Sequence, residues 1–231
     1  MKRFYRQAEA VPASAGYGVA LDGRRIKTPA AHDLTVPGAA LAAAIAAEWN
    51  AQQGEVRPAA MPLTRLVGMT IDRIAAQRDA IVQQVANYAA TDLVCYRATR
   101  PPALVTRQHA IWQPLIDWVA LRYDAPMTVA SGVIPRSQPV ASLRAFAAIV
   151  EAQDDFALTA LQVATAACGS VVIALALIEG RLDAAEAFTA SQLDETFQIE
   201  AWGEDAEQAE RRRILAEDIA AAARFLSLSR A

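Results

Sequence analysis

Two periodicities divide the chain. Up to residue 36, apolar and polar positions alternate in short runs broken by turn-forming residues, whereas beyond Pro58 the apolar positions recur every three or four residues, the spacing of one helix face. Phe4–Val11 predicts a strand and Ala13-Ser14-Ala15-Gly16 a turn. Tyr17–Leu21, Asp22-Gly23 and Arg24–Thr28 predict a hairpin, because Asp-Gly readily takes the positive φ angles of a type I′ turn. Asp33–Val36 predicts a further short strand, ending at Pro37-Gly38. Ala39–Gln53 is Ala-rich and predicts a helix that stops at Gly54.

The helical part opens with Pro62–Ala90, one or two helices with Leu66, Ile71, Ile74, Ile81, Val85 and Tyr88 on the apolar side. Asp92–Tyr96 is a short apolar run. Ala103–Tyr123 predicts a helix that Pro114 starts or kinks. Ala125–Pro139, with three prolines and a glycine, is the candidate linker within the helical part. Leu143, Phe146, Ile149 and Val150 return to helical spacing. Phe156–Ile178 carries no charge and is long enough to span a bilayer, but Gln162, Thr165 and Cys168-Gly169-Ser170 interrupt it and its flanks are acidic. It predicts a buried helix, or a helix pair broken near Gly169. Asp183-Ala184-Ala185-Glu186 reads as a capping box, and Leu215, Ile219, Ala222 and Leu226 mark the last helix. The expectation is an α+β chain: a small β-rich N-terminal domain over residues 1–60 and a larger all-α domain over 61–231.

Composition narrows the function. Of 231 residues, 54% are hydrophobic and 20% charged, which suits a folded globular chain and not a disordered one. A net charge of −3 argues against a nucleic-acid binder, which needs a basic field to neutralise phosphates. Two cysteines exclude a disulfide scaffold, and Cys95 and Cys168 sit in apolar runs as buried small hydrophobes. No apolar run follows the basic start Met1-Lys2-Arg3-Phe4-Tyr5-Arg6-Gln7, so the expectation is a protein of the bacterial cytoplasm without membrane insertion.

Familiar catalytic signatures do not form. Ile26 precedes Lys27-Thr28 where a P-loop needs Gly, and Gly16-Tyr17-Gly18 lacks both the third glycine and the following helix of a dinucleotide fold. His32 and His109 have no second ligand at metal spacing, so neither a metal nor a cofactor is expected. The adjacent acids Asp194 and Glu195 point about 100° apart on a helix and do not face each other. Charge distribution is the stronger signal. Residues 182–210 contain nine acids and no Lys or Arg, and Arg211-Arg212-Arg213 follows at once. One reading is a solvated helical face whose acids pair with those arginines. The other is a docking surface for a partner, in which a field of one sign steers encounter and interleaved aromatics supply affinity. Interleaved with the acids are Phe188, Leu193, Phe197, Ile199 and Trp202.

Several blocks stand in a diagnostic order: Leu21-Asp22-Gly23-Arg24 with Lys27-Thr28-Pro29, Glu48-Trp49 with Gln52, and Met61-Pro62-Leu63-Thr64 with Ile71-Asp72-Arg73. Tyr88 with Thr91-Asp92-Leu93-Val94-Cys95-Tyr96-Arg97 follows, and Leu193-Asp194-Glu195, Phe197-Gln198 and Trp202-Gly203-Glu204-Asp205 close the series. In these blocks the chain resembles the Atp12 family, the assembly chaperones of the F1 sector of ATP synthase. It departs from the family pattern at Gln113, where Asp is expected, and at Gly68, where Asn is expected. The resemblance implies a β-rich domain joined to a helical one. It also implies binding of the newly made F1 α subunit before that subunit meets β, without using nucleotide, and it places the docking surface at Asp194, Glu195, Phe197, Gln198, Trp202, Glu204 and Asp205, with Glu195 foremost; a monomer is expected. Organelle homologues would act in the mitochondrial matrix. The alternative is an enzyme using a carboxylate such as Asp92 or Glu195 in a cleft between the two domains.

Overall fold

Asp22 and Gly23 both take positive φ, +48° and +81°, and turn the chain tightly enough to start a sheet. In the computed structural model, which describes residues 2–132 and 136–231, strand β1 (Ala8–Ala13) pairs antiparallel with β2 (Gly16–Leu21), Ala8 lying opposite Leu21 and Ala13 opposite Gly16. The turn returns the chain as β3 (Arg24–Arg25), and β4 (Thr35–Val36) also pairs with β2. Strand β1 begins four residues later than the sequence predicts. The backbone N–H groups of Arg6 and Gln7 donate to the Asp22 carboxylate, and the Tyr5 hydroxyl donates to the Trp49 carbonyl, so this stretch is held by side chains and not by a ladder. At the outer edge of β1 the Asn50 carboxamide bonds both the N–H and the C=O of Ala8, and Pro12 has no N–H to offer, two devices that discourage further strand addition.

Helix α1 (Ala39–Asn50) buries Leu41, Ala42, Ile45 and Ala46, and ends three residues before the predicted stop. Helix α2 (Pro62–Met69) leads through a π turn at Thr70–Ile74 into α3 (Ala75–Ala86). Periodicity alone does not reveal that turn. The Thr70 hydroxyl bonds back to the Leu66 carbonyl at 2.9 Å and lies 2.8 Å from the Thr159 hydroxyl, competition of the kind that disturbs a regular ladder.

Two compact units result. The first comprises Met1–Arg78, Asp154–Ala160 and Ala221–Ala231, and the second Asp79–Gln153 and Leu161–Ala220. Residues 61–78, grouped with the helical domain in the sequence reading, thus fold with the strands, where Leu63, Leu66, Val67 and Ile74 add apolar surface that so small a sheet and one helix lack. In the first unit Phe156 and Phe225 stack at 5.6 Å, and Arg78 pairs with Asp155 at 2.5 Å.

The second unit contains β5 (Tyr96–Arg97), α4 (Pro102–Tyr123), β6 (Ala130–Ser131) and α5 (Val140–Glu151). Strands β5 and β6 form a two-residue parallel pair that the sequence pattern does not announce. Of the candidate linker, residues 133–135 lie outside the described residues. Elsewhere in it, Gln138 bonds both the N–H and the C=O of Thr128, at 2.8 and 2.9 Å. The charge-free stretch forms α6 (Asp155–Cys168) and α7 (Val171–Ile178), broken at Gly169 with φ +63°, as the pair reading predicts. Every residue of α7 is buried, and no helix among the described residues is long and apolar enough to cross a membrane. Then come α8 (Ala184–Ser191), α9 (Leu193–Trp202) and α10 (Ala206–Ser229), α8 opening on the predicted Asp183–Glu186 capping box. The α+β class holds: strands concentrated in residues 8–36, helices after them.

Candidate functional site

The carboxylates of the N-terminal blocks are engaged inside the fold. Asp22 accepts from Gln7 and Arg6, and those backbone N–H groups hold its carboxyl below the usual range. Glu48 reaches the start of α2, accepting from the N–H of Leu63 at 2.7 Å, the N–H of Thr64 at 2.9 Å and the Thr64 hydroxyl at 2.7 Å. It thus caps a helix whose own N-cap residue, Met61, makes no such bond. Gln52 accepts from the Arg57 N–H and donates to the Glu48 carbonyl. Asp72 accepts from the Thr28 hydroxyl at 2.6 Å and the Ala30 N–H at 3.0 Å, and its Oδ1 lies 2.9 Å from His32 Nδ1. Burial works against ionisation of Asp72, but the bonds from Thr28, His32 and Ala30 prevail and lower its pKa. These motif residues staple the loop 28–32 and the start of α2.

Asp92 is the extreme case. It is 0% exposed and accepts from the Ser170 hydroxyl at 2.6 Å, the Val172 N–H at 3.1 Å and the Val94 N–H at 3.2 Å. It therefore caps the wholly buried α7 together with Ser170, which accepts from Ile173. Burial raises its pKa to about 6 against the lowering pull of those bonds. A carboxylate with no open surface cannot meet a substrate in this conformation, so Asp92 serves the fold. Burial likewise pushes the Cys95 and Cys168 thiols up to about 12, which matches their reading as inert hydrophobes. Among the described residues no three His, Cys, Asp or Glu gather to hold a metal.

Helix α9 is different. Its inner side is positioned by α4: Gln108 accepts from the Ala98 N–H and donates to Asp194 at 2.7 Å, and Arg107 pairs with Glu200 at 2.8 Å while lying 5.4 Å over the Phe197 ring. Beside it, the Trp112 indole N–H donates to the Ala190 carbonyl of α8. From α10, Arg212 reaches Glu204 at 3.3 Å, donates to the Thr196 hydroxyl, and lies 5.4 Å over Phe188. Asp205 caps α10 by accepting from the Gln208 N–H. Asp194, Phe197, Glu204 and Asp205 thus all have partners within the chain. The arginine pairing expected of a solvated face is real but partial: Arg212 and Arg213 take Glu204 and Glu210.

Three of the seven candidates point outward unpartnered. Glu195 and Gln198 are exposed and make no hydrogen bond or ion pair among the described residues, and Trp202 is 82% exposed. Spacings of three and four put Glu195, Gln198 and Trp202 on one face of α9. Gly203, at φ +84°, ends the helix directly behind the indole. The result is a carboxylate, a carboxamide and a bare indole in a row, suited to contacting another macromolecule. Sequence pattern found the acidic segment but not its anchors Arg107 and Gln108, which lie 93 and 86 residues from their partners.

Comparison with known proteins places the chain by family and fold. The family model described as ATP12 chaperone protein matches residues 2–120. The crystal structure of Atp12 from Paracoccus denitrificans is 40% identical, with a TM-score of 0.93 over 99% of this chain and 98% of that one. A mutant of P. denitrificans Atp12p is 39% identical, also at 0.93, covering 99% and 97%. The mitochondrial protein atp12 of Schizosaccharomyces pombe is 22% identical over 221 residues, 90% of this chain and 76% of that protein. With motif, fold and identity in agreement over nearly its whole length, the chain belongs to the ATP12 chaperone family.

Proposed function

We propose that the protein is an ATP-independent assembly chaperone of the F1 sector, acting as a monomer in the bacterial cytoplasm and binding the free α subunit until it joins β. The observation that carries the reading is an indole left 82% exposed on the same helix face as an unpaired carboxylate. Trp is among the residues that dominate binding energy when an interface covers it. A lone α subunit presents a broad apolar face meant for its neighbours, and such faces aggregate. A chaperone covering that face needs to bind it less tightly than the true neighbour does, so that exchange runs downhill. Family membership supports the chaperone role, and the block resemblance supports α as client.

Co-expression tests it. The α subunit produced alone should be largely insoluble, and soluble when this protein accompanies it. Equal insolubility with and without the protein would refute the proposal.

A further inference from the structure

A groove of about 580 Å³ opens on the first compact unit. Its apolar lining comes from Pro29, Trp49, Val56, Met61 and Met69, with Gly68 of α2 among them. Three exposed cations also line it: Lys27, Arg65 and Arg73. Lys27 has only a loose, exposed pairing with Asp33 at 3.9 Å. The one acid in the lining, Asp72, is tied back to Thr28, Ala30 and His32. The surrounding unit carries twelve Lys and Arg against eight Asp and Glu, net +4, while the second unit is net −7. The groove is thus apolar within a cationic field, opposite in sign to the α9 segment.

We propose that this groove is a second docking site, taking a segment of the client polypeptide in which bulky apolar side chains are flanked by carboxylates. The inference rests on the chaperone reading above and adds a contact of opposite charge to it. The half-buried Met69 side chain adapts to apolar groups of different shape, as a binder of incompletely assembled chains requires, over the buried Met61. Flanking carboxylates meet Lys27 and Arg73, which guide the segment in and fix its register. Among the described residues the buried Trp49 indole N–H has no acceptor. Gly68 keeps the groove open. A Cβ added there would meet only the Pro29 ring at 3.7 Å, an ordinary contact, so the position accepts a side chain that fills the groove.

The probe is a fluorescein-labelled peptide, Glu-Glu-Leu-Phe-Leu-Glu-Glu, followed by fluorescence anisotropy against the full chain. Binding should weaken as salt rises. Gly68→Leu should weaken it on the order of tenfold, and so should the double variant Lys27→Glu/Arg73→Glu. Gly68→Ala and Glu195→Lys should leave it unchanged. If Gly68→Leu fails to fold, the charge variant still decides. Equal binding of a Lys-flanked peptide, undiminished binding by the double variant, or no binding by the native chain would each overturn the proposal. So would binding of decanoate without binding of the peptide, which would mark a small-molecule site. Capture of purified α subunit in parallel separates the two readings: α bound but peptide not removes the groove alone, whereas peptide bound but α not removes the proposed client.

Discussion

Asp72 and Glu195 are both acids on helices, and the sequence offers little to tell them apart. Asp72 has a hydroxyl, a backbone N–H and an imidazole within hydrogen-bond distance, whereas Glu195 has no partner among the described residues. The same contrast runs between their regions. In the first unit Asp22, Glu48 and Asp72 each fasten a piece of backbone that lacks a regular ladder. On α9 the engaged acids hold the helix from one side, and Glu195, Gln198 and Trp202 are left on the other. A motif acid with both carboxylate oxygens engaged is accounted for by the fold, and one left open on a positioned helix needs another explanation.

The contrast breaks if substitutions in the two regions have like effects. Asp92→Ala removes the acceptor of three buried donors and should cost about 3 kcal/mol or more, read from the denaturant midpoint. The charge on Asp92 makes a second, pH-dependent prediction. Its pKa rises from the ordinary 3.8 to about 6, so the folded state holds this proton more tightly than the unfolded chain. Its contribution to stability is therefore greatest below pH 4 and is lost as pH rises through about 6. The stability of the native protein relative to Asp92→Asn should fall by about 2 kcal/mol between pH 4 and pH 7, and a flat difference would show that the carboxylate does not titrate as described.

Glu48→Ala strips the cap from α2 and should cost about 2 kcal/mol in chemical unfolding. At the small end, Trp202→Ala removes a side chain that is mostly in solvent and should change stability by less than about 0.5 kcal/mol. A large loss there would mean that the indole supports the fold, and the contrast between the two regions would collapse.

Local chemistry was legible wherever a few neighbouring residues decide it. Asp22-Gly23 announced its turn, Gly169 the break between α6 and α7, and Asp183 with Glu186 their capping box. What stayed hidden depends on partners distant in sequence. The late start of β1 comes from Asp22 reaching back to Arg6 and Gln7. The π turn accompanies a contact between Thr70 and Thr159, and the β5–β6 pair joins residues on opposite sides of α4. The candidate surface shows the same limit. Counting charges located the acidic segment, but only tertiary contacts show that Arg107, Gln108 and Arg212 occupy Glu200, Asp194 and Glu204 while Glu195 stays open.

The central claim, that the open face of α9 grips the client, meets its most direct test in titration calorimetry of purified F1 α subunit against the native protein, Glu195→Lys and Trp202→Ala. The account predicts that both variants keep the native melting temperature and lose affinity on the order of tenfold or more. Native affinity in both, with the fold intact, would contradict it.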